Sequence, residues 1–118
     1  MSAETILELS VEQLAQRLRS KESFILLDVR EAWELEHALI QDDRLRVVPM
    51  SRLAKMGLRA LPDEMDDKTM EILVMCHHGA RSLSATGWLR EQGWSKAYSV
   101  RGGIAAYADR VDRSVGRY

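Results

Sequence analysis

Cysteine is nearly absent from this sequence, whose 118 residues contain one, Cys76. A single thiol cannot form a disulfide within the chain, and this predicts a protein of a reducing compartment, the cytoplasm. The first ten residues, MSAETILELS, lack the basic stretch followed by an apolar one that marks an export signal. No apolar run approaches the ~20 residues needed to cross a bilayer, so we expect no membrane association.

Neither sign of charge dominates the composition. Lys and Arg number 17 against 18 Asp and Glu, which leaves a formal net charge of −1. No basic stripe stands apart from compensating acids, so nucleic acid is not an expected partner. Proline and glycine are sparse, at 2 and 7 residues, and no repeat or low-complexity linker divides the chain. These absences predict a single domain over residues 1–118.

The patterning that is present alternates between apolar strands and amphipathic helices. Residues 24–29 and 71–75 are nearly continuous apolar runs, typical of strands buried on both faces. The other predicted strands are 6–9, 47–50 and 97–100, and the predicted helices are 11–18, 31–39, 51–61, 82–92 and 104–111. Three of these helices carry end signals: a capping box between Ser10 and Gln13 before the first, Ser51 as the cap of 51–61, and Gly93 at the end of 82–92. This order predicts an α/β domain with a mainly parallel sheet.

The sole cysteine lies at the predicted carboxyl end of an apolar strand and opens the segment Cys76-His77-His78-Gly79-Ala80-Arg81-Ser82. In α/β folds, ligands bind beyond the carboxyl ends of the strands. A tight loop here would turn backbone N–H groups inward above a helix N-terminus, which makes an anion-binding nest. Gly79 permits the turn, and Arg81 carries a fork of donors suited to an oxyanion. Such surroundings favour a reactive thiolate.

The cysteine and the two histidines of this segment also have alternative interpretations. A lone cysteine after an apolar run is often an inert core residue, but the glycine, arginine and helix start that follow favour a nucleophile. His77 and His78 could be metal ligands, yet adjacent histidines with one cysteine match no recognised zinc spacing, so we expect no metal. They could also act as general bases, or lie in the loop facing solvent.

Four segments together resemble the single-domain rhodaneses, which are thiosulfate or persulfide sulfurtransferases. They are LLDVREAWELEH (26–37), CHHGARS (76–82), LREQGW (89–94) and VRGGIAAYADRVD (100–112), and the resemblance extends over nearly all of the chain. It implies a rhodanese-like α/β fold, with a five-stranded, mainly parallel sheet flanked by helices. It also implies an active-site loop from Cys76 to Arg81, in which the cysteine accepts a sulfane sulfur.

The resemblance gives the other residues roles as well. Cys76 is the expected catalytic nucleophile of a ping-pong transfer that needs no cofactor. The donor is a small sulfur compound, thiosulfate or a persulfide, and the acceptor is cyanide or a thiol, including a protein thiol. The residues expected to bind the substrate are His77, His78, Gly79, Ala80, Arg81 and Ser82.

Asp28, Arg30, Gly102 and Gly103 are expected to support this site. The strand end at Asp28 and Arg30 should order the loop by capping and ion pairing, with Arg30 paired to Glu31 or Glu34. The two glycines should bring backbone close to the active loop.

Three further expectations concern the tryptophans, residues 37–50 and the last residues of the chain. Trp33, Trp88 and Trp94 are expected in the core rather than against substrate. The segment HALIQDDRLRVVPM (37–50) lacks a glycine that the family usually has there and carries a charged insertion, which predicts an altered rim of the active site. The chain ends in VDRSVGRY, which resembles the tail of some family members, and Tyr118 is expected to pack back on the domain.

Two other functions stay open. Phosphatases of similar fold have five residues between cysteine and arginine, whereas four separate Cys76 from Arg81 here. A shorter ring of N–H donors suits a persulfide better than a phosphoryl group, so a phosphatase or arsenate reductase is the less favoured alternative. The other alternative is a sulfur-carrying or regulatory module that binds a partner and has little turnover alone.

Overall fold

The computed structural model describes residues 7–118, in which five strands form one sheet in the order β1-β5-β4-β2-β3. Every pair of neighbouring strands is parallel. The strands are β1 Glu8–Leu9, β2 Ile25–Asp28, β3 Leu45–Val47, β4 Ile72–Met75 and β5 Ala97–Val100. The α-helices are α1 Val11–Arg19, α2 Ala32–Leu35, α3 Met50–Met56, α4 Ala80–Glu91 and α5 Gly103–Arg110, and 3₁₀ turns cover Gly57–Ala60, Asp63–Asp66 and Arg113–Val115. The five-stranded parallel sheet flanked by helices is thus confirmed.

The two most apolar runs of the sequence are neighbours within this sheet. β2 and β4 pair in parallel, with Leu27 opposite Val74, and all eight residues of the two strands are buried. Side chains alternate between the faces: Leu27 and Val74 pack with α4, while Leu26 and Leu73 pack with α1 and α5. Because helices cover both faces, neither strand shows the polar alternation of a half-exposed sheet.

Two of the three predicted helix-end signals are confirmed, those at Ser10 and at Gly93. At the start of α1, Gln13 N–H donates to Ser10 Oγ (3.1 Å), and Ser10 N–H donates to Gln13 Oε1 (2.8 Å). At the end of α4, Gly93 N–H donates to Arg90 O (3.1 Å) and Trp94 N–H to Leu89 O (3.0 Å), the pair of bonds that defines a Schellman motif.

Pro49 displaces the predicted boundaries around the third strand. The strand ends at Val47 rather than extending to residue 50, and Pro49 takes the N-cap position of α3. The prediction that Ser51 caps this helix is therefore wrong: Ser51 lies inside α3, and its hydroxyl donates to Glu31 Oε1 (2.7 Å). The predicted helix 51–61 also ends early, because Gly57 leaves the α conformation and begins a 3₁₀ turn.

Other boundaries differ by smaller amounts. The helix predicted at 31–39 is a four-residue turn, Ala32–Leu35, while α4 begins at Ala80 rather than residue 82. The first strand is confirmed at Glu8–Leu9, and Ile6 lies outside the described residues.

The sequence predicted that the charged insertion after His37 alters the rim of the active site. The structure places this insertion elsewhere. Asp42 and Arg44 directly precede β3, and therefore lie at the amino end of the parallel sheet, opposite the end where Cys76 follows β4. Arg44 pairs with Asp42 (2.7 Å) and donates to Leu18 O and Ser20 O at the end of α1. The segment therefore ties a helix terminus to the sheet.

The tryptophans divide between core and surface. Trp94 is buried and donates its indole N–H to Met65 O (2.9 Å), and Trp88 packs against the core, as predicted. Trp33 is 59% exposed, so its predicted place in the core is wrong. The short turn of α2 leaves its ring outside the sheet, where it meets His37 and Tyr118 edge-on. Among residues 7–118, no helix is long and apolar enough to span a membrane.

Candidate active site

The loop after β4 turns sharply between Cys76 and the start of α4. Cys76 follows the carboxyl end of this buried strand, and α4 begins only four residues later, at Ala80. Gly79 makes the turn with a φ of 108°, in the left-handed region that favours glycine. A Cβ at this position would lie 3.1 Å from Gly102 N, so close packing also favours glycine.

The sulfur of Cys76 lies inside this turn, and the residue is 1% exposed. Gly79 N–H donates to Sγ at 3.1 Å and Ser82 N–H donates at 3.3 Å, while Ser82 Oγ lies 3.4 Å away. Two backbone donors directed at one atom form the predicted nest, at the amino end of a helix whose dipole also favours negative charge. The arrangement stabilises an anion on or next to the sulfur.

A buried pair of hydroxyls supports the nest from below. Ser82 Oγ donates to Gly79 O (3.1 Å) and lies 2.7 Å from Ser99 Oγ, and neither serine is exposed. Ser82 was a predicted site residue, but Ser99 in β5 was not. No sequence signal singles out Ser99, because the neighbour relation between β5 and the loop exists only in the folded sheet.

The start of α5 holds the outer side of the loop, which confirms the close approach predicted for Gly102 and Gly103. Ile104 N–H donates to Cys76 O (2.9 Å), and Ala105 N–H donates to His77 O (3.0 Å). A Cβ on Gly103, whose φ is 62°, would overlap both of these carbonyl oxygens. With its carbonyls bound outward, the loop presents N–H groups to the sulfur.

Arg30 pairs with Asp28, and the expected pairing with the carboxylate of Glu31 or Glu34 is wrong. Arg30 Nη2 lies 2.7 Å from Asp28 Oδ2 and its Nε lies 3.0 Å from Oδ1, with both side chains fully buried. The Arg30 N–H also donates to Asp28 Oδ1 (3.1 Å), so the carboxylate caps the strand end as well as neutralising the guanidinium. Asp28 lies two residues before Arg30 along an extended stretch of chain, so the two side chains lie on the same side and can pair.

Glu34 instead holds the arginine of the active loop. Arg81 Nη1 donates to Glu34 Oε2 (2.7 Å) and Nη2 donates to Oε1 (2.8 Å), a bidentate ion pair. Glu34 is 3% exposed and the Arg81 side chain is 36% exposed. Sequence reasoning named Glu34 only as a partner of Arg30 and missed its place in the site. The pair uses the two terminal nitrogens of Arg81, so its Nε–H lies outside this pairing.

The tail packs back on the domain, as the sequence predicted, and the structure shows that it does so at this cluster. The Tyr118 hydroxyl donates to Glu34 Oε1 (2.8 Å) and accepts from Arg30 Nη1 (3.1 Å). Its ring stacks on His77 with centroids 3.8 Å apart and planes 7° apart, and the ring centroids of His77 and His78 are 3.9 Å apart.

The two loop histidines differ in exposure. His78 faces solvent, whereas His77 is partly buried and its ring lies close to the rings of both His78 and Tyr118. Burial, followed by the nearby charge of His78, lowers the pKa of His77 below its ordinary value. The neutral form of His77 is therefore favoured. Within residues 7–118, no three His, Cys, Asp or Glu side chains are grouped to hold a metal ion.

The Glu34–Arg81 pair predicts an acid-sensitive stability. The hydrogen bond from Arg81 lowers the pKa of Glu34 to about 2 from an ordinary 4.5. A depressed carboxyl pKa stabilises the fold above the unfolded value and loses that contribution as pH falls toward the folded value. We expect Glu34→Gln to destabilise the protein by roughly 2 kcal/mol at pH 7, and this gap to close between pH 4.5 and 2. Urea unfolding of both proteins at pH 7, 4 and 2.5 measures it. A gap that is constant with pH would contradict the assignment.

Comparison with known proteins gives one consistent family. The model of the rhodanese-like domain matches residues 10–110. A protein named sulfurtransferase in Allochromatium vinosum is 30% identical over 103 residues, which cover 86% of this chain and 87% of that one. The thiosulfate sulfurtransferase GlpE of Actinobacillus pleuropneumoniae is 32% identical over 102 residues, 86% of each chain. The structure of the human single-domain sulfurtransferase TSTD1 matches with a TM-score of 0.70 at 23% identity, over 88% of this chain and 96% of that one.

Proposed function

The chain belongs to the rhodanese-like domain family and to its sulfurtransferases, and we propose that it moves a sulfane sulfur from a donor such as thiosulfate to a thiol or cyanide through a persulfide on Cys76. The observation that carries the proposal is the position of Sγ, which receives N–H donors from Gly79 and Ser82 at 3.1 and 3.3 Å. The same donors serve a thiolate before transfer and a persulfide anion after it.

The reaction has two displacements. In the first, the Cys76 thiolate attacks the outer sulfur of thiosulfate; a new S–S bond forms, the S–S bond of the donor breaks, and sulfite leaves with the electron pair. In the second, cyanide or an acceptor thiolate attacks the outer sulfur of the persulfide and releases the Cys76 thiolate. Because the chain has no other cysteine, an external nucleophile must complete the cycle.

Two groups of hydrogen-bond donors at the mouth of the loop can bind the oxyanion of the sulfur donor. Ala80 and Arg81 occupy the first positions of α4, where helix N–H groups have no intrahelical acceptor. Arg81 adds a guanidinium whose Nε–H is outside its pair with Glu34. Together they would hold the sulfonate oxygens of thiosulfate while its outer sulfur faces Sγ.

The acceptor is a low-molecular-weight thiol, cyanide or a protein thiol. A compartment that keeps thiols reduced, as the cytoplasm does, suits both the nucleophile and such acceptors.

Comparison of two reactions tests this function against its nearest rival of similar architecture. We expect thiosulfate to yield thiocyanate from cyanide in the presence of the protein, and hydrolysis of an aryl phosphate to be slower by at least about a hundredfold. The reason is the loop, in which four residues separate Cys76 from Arg81 and the N–H donors converge on one sulfur. Phosphate hydrolysis at a rate comparable with sulfur transfer would overturn the proposal in favour of a phosphatase.

A further inference from the structure

We propose that Tyr118 is a positioning residue that determines how tightly Glu34 holds Arg81, and through Arg81 the affinity of the site for anionic sulfur donors. This inference rests on the proposed function, since it concerns the same anion-binding side of the loop. It assigns a role in the site to the tail of the chain, more than thirty residues beyond the loop.

The Tyr118 hydroxyl links the side chains of two ion pairs, Arg30–Asp28 and Arg81–Glu34, and Arg30 Nη1 also donates to the Glu34 backbone carbonyl oxygen (3.4 Å). Arg30 is committed to Asp28, and its remaining nitrogen Nη1 donates to the Tyr118 hydroxyl at 3.1 Å. The hydroxyl in turn donates to Glu34 Oε1 at 2.8 Å. A hydroxyl that accepts from a guanidinium is a stronger donor, so the buried charge of Arg30 strengthens the bond to Glu34.

Glu34 shares its negative charge among four donors. Oε1 accepts from Tyr118 and from Arg81 Nη2, both at 2.8 Å. Oε2 accepts from Arg81 Nη1 at 2.7 Å and from the Glu31 N–H at 2.8 Å. Because Glu34 is buried, the loss of one donor concentrates its charge on those that remain. Without the hydroxyl, Glu34 would therefore hold Arg81 more tightly, and Arg81 would be less available to an incoming anion.

The backbone of the tail fixes the hydroxyl in place. Leu39 N–H donates to Val115 O (2.8 Å), and Ala38 and Gly116 form an antiparallel bridge. The Tyr118 ring is stacked on His77 and meets Trp33 edge-on at 6.1 Å. These contacts do not involve the hydroxyl, so Tyr118→Phe removes the hydrogen bonds and leaves the ring in its place.

The test measures transfer from a charged donor and a neutral one. For Tyr118→Phe we expect the KM for thiosulfate to rise about fivefold, the size of one partly compensated charged hydrogen bond, with kcat within twofold of the wild type. Transfer from a neutral organic trisulfide, assayed with an added thiol, should be unchanged. In that reaction Cys76 attacks the central sulfur and one organic thiolate leaves, and the added thiol then removes the remaining organic thiol group as a disulfide, which leaves the persulfide on Cys76. In the Glu34→Gln background, where no negative charge holds Arg81, Tyr118→Phe should not change the KM for thiosulfate. Tyr98→Phe is the matched control, a partly buried tyrosine beside Arg90 that should have no effect.

Two results would overturn this inference while sparing the proposed function. The first is an unchanged KM for thiosulfate in Tyr118→Phe. The second is a loss that is equal for thiosulfate and the trisulfide and persists in the Glu34→Gln background, because that pattern belongs to a residue that only stabilises the loop. If the wild-type protein transfers sulfur from neither donor, the proposed function is overturned, and this inference with it.

Discussion

Cys76→Ser should abolish sulfur transfer from thiosulfate to cyanide, with a loss of at least about a thousandfold, because the residue that carries the sulfur is gone. A serine hydroxyl is not ionised at neutral pH and does not form a persulfide. The substitution is small, and Gly79 and Ser82 N–H can donate to an oxygen at the same place. Thiocyanate formation measures the loss.

The fold must survive for this result to be read as chemistry. We expect the circular dichroism spectrum of Cys76→Ser to match the wild type and its thermal midpoint to lie close to it. A folded Cys76→Ser protein that retains more than a few per cent of the turnover would show that the reaction does not pass through this thiol.

The second large effect is expected from Arg81→Ala, which should raise the KM for thiosulfate by about tenfold or more and weaken turnover, because the guanidinium neutralises the donor's charge. Arg81→Lys should recover only part of the loss, since an ammonium supplies a point charge without the planar fork that also pairs with Glu34. Steady-state kinetics with varied thiosulfate measure both variants.

The ion pair with Glu34 gives this substitution a structural cost that has to be separated. Arg81→Ala leaves a carboxylate that is 3% exposed without its main partner, so a lower stability is expected as well. Arg90→Ala is a suitable control, because Arg90 lies on the last turn of the same helix and donates to Ala97 O (2.7 Å), away from the loop. An unchanged KM in Arg81→Ala, with stability reduced, would make Arg81 a structural residue only.

The parts of the fold that the sequence predicted are those fixed by local patterns. Continuous apolar runs placed β2 and β4, and the Ser10 and Gly93 signals placed two helix ends, because burial on both faces and capping leave local signatures. The third strand was misplaced because three half-buried residues carry little periodicity, and Pro49 changed the start of the helix that follows.

The site divides in the same way. The position of Cys76 at a strand end and the need for Gly79 follow from the local geometry of a tight loop. The need for Gly103 comes instead from the packing of the start of α5 against the carbonyls of Cys76 and His77. The sequence could not show that Arg30 pairs with Asp28 while Glu34 pairs with Arg81. Glu34 is four residues from Arg30, a spacing that favours pairing on a helix, but it pairs with an arginine 47 residues away. That choice depends on how α2 packs beside the loop, which is a tertiary fact.

The most direct measurement of the central claim is the intact mass of the protein after incubation with thiosulfate in the absence of an acceptor. The mass should rise by one sulfur atom, located at Cys76, and cyanide or excess reduced thiol should reverse the change. The adduct should persist, because the chain has no second cysteine to convert it to a disulfide. Cys76→Ser should acquire no sulfur. If neither thiosulfate nor a persulfide donor adds sulfur to the wild-type protein, Cys76 is not a sulfur carrier and the account is wrong.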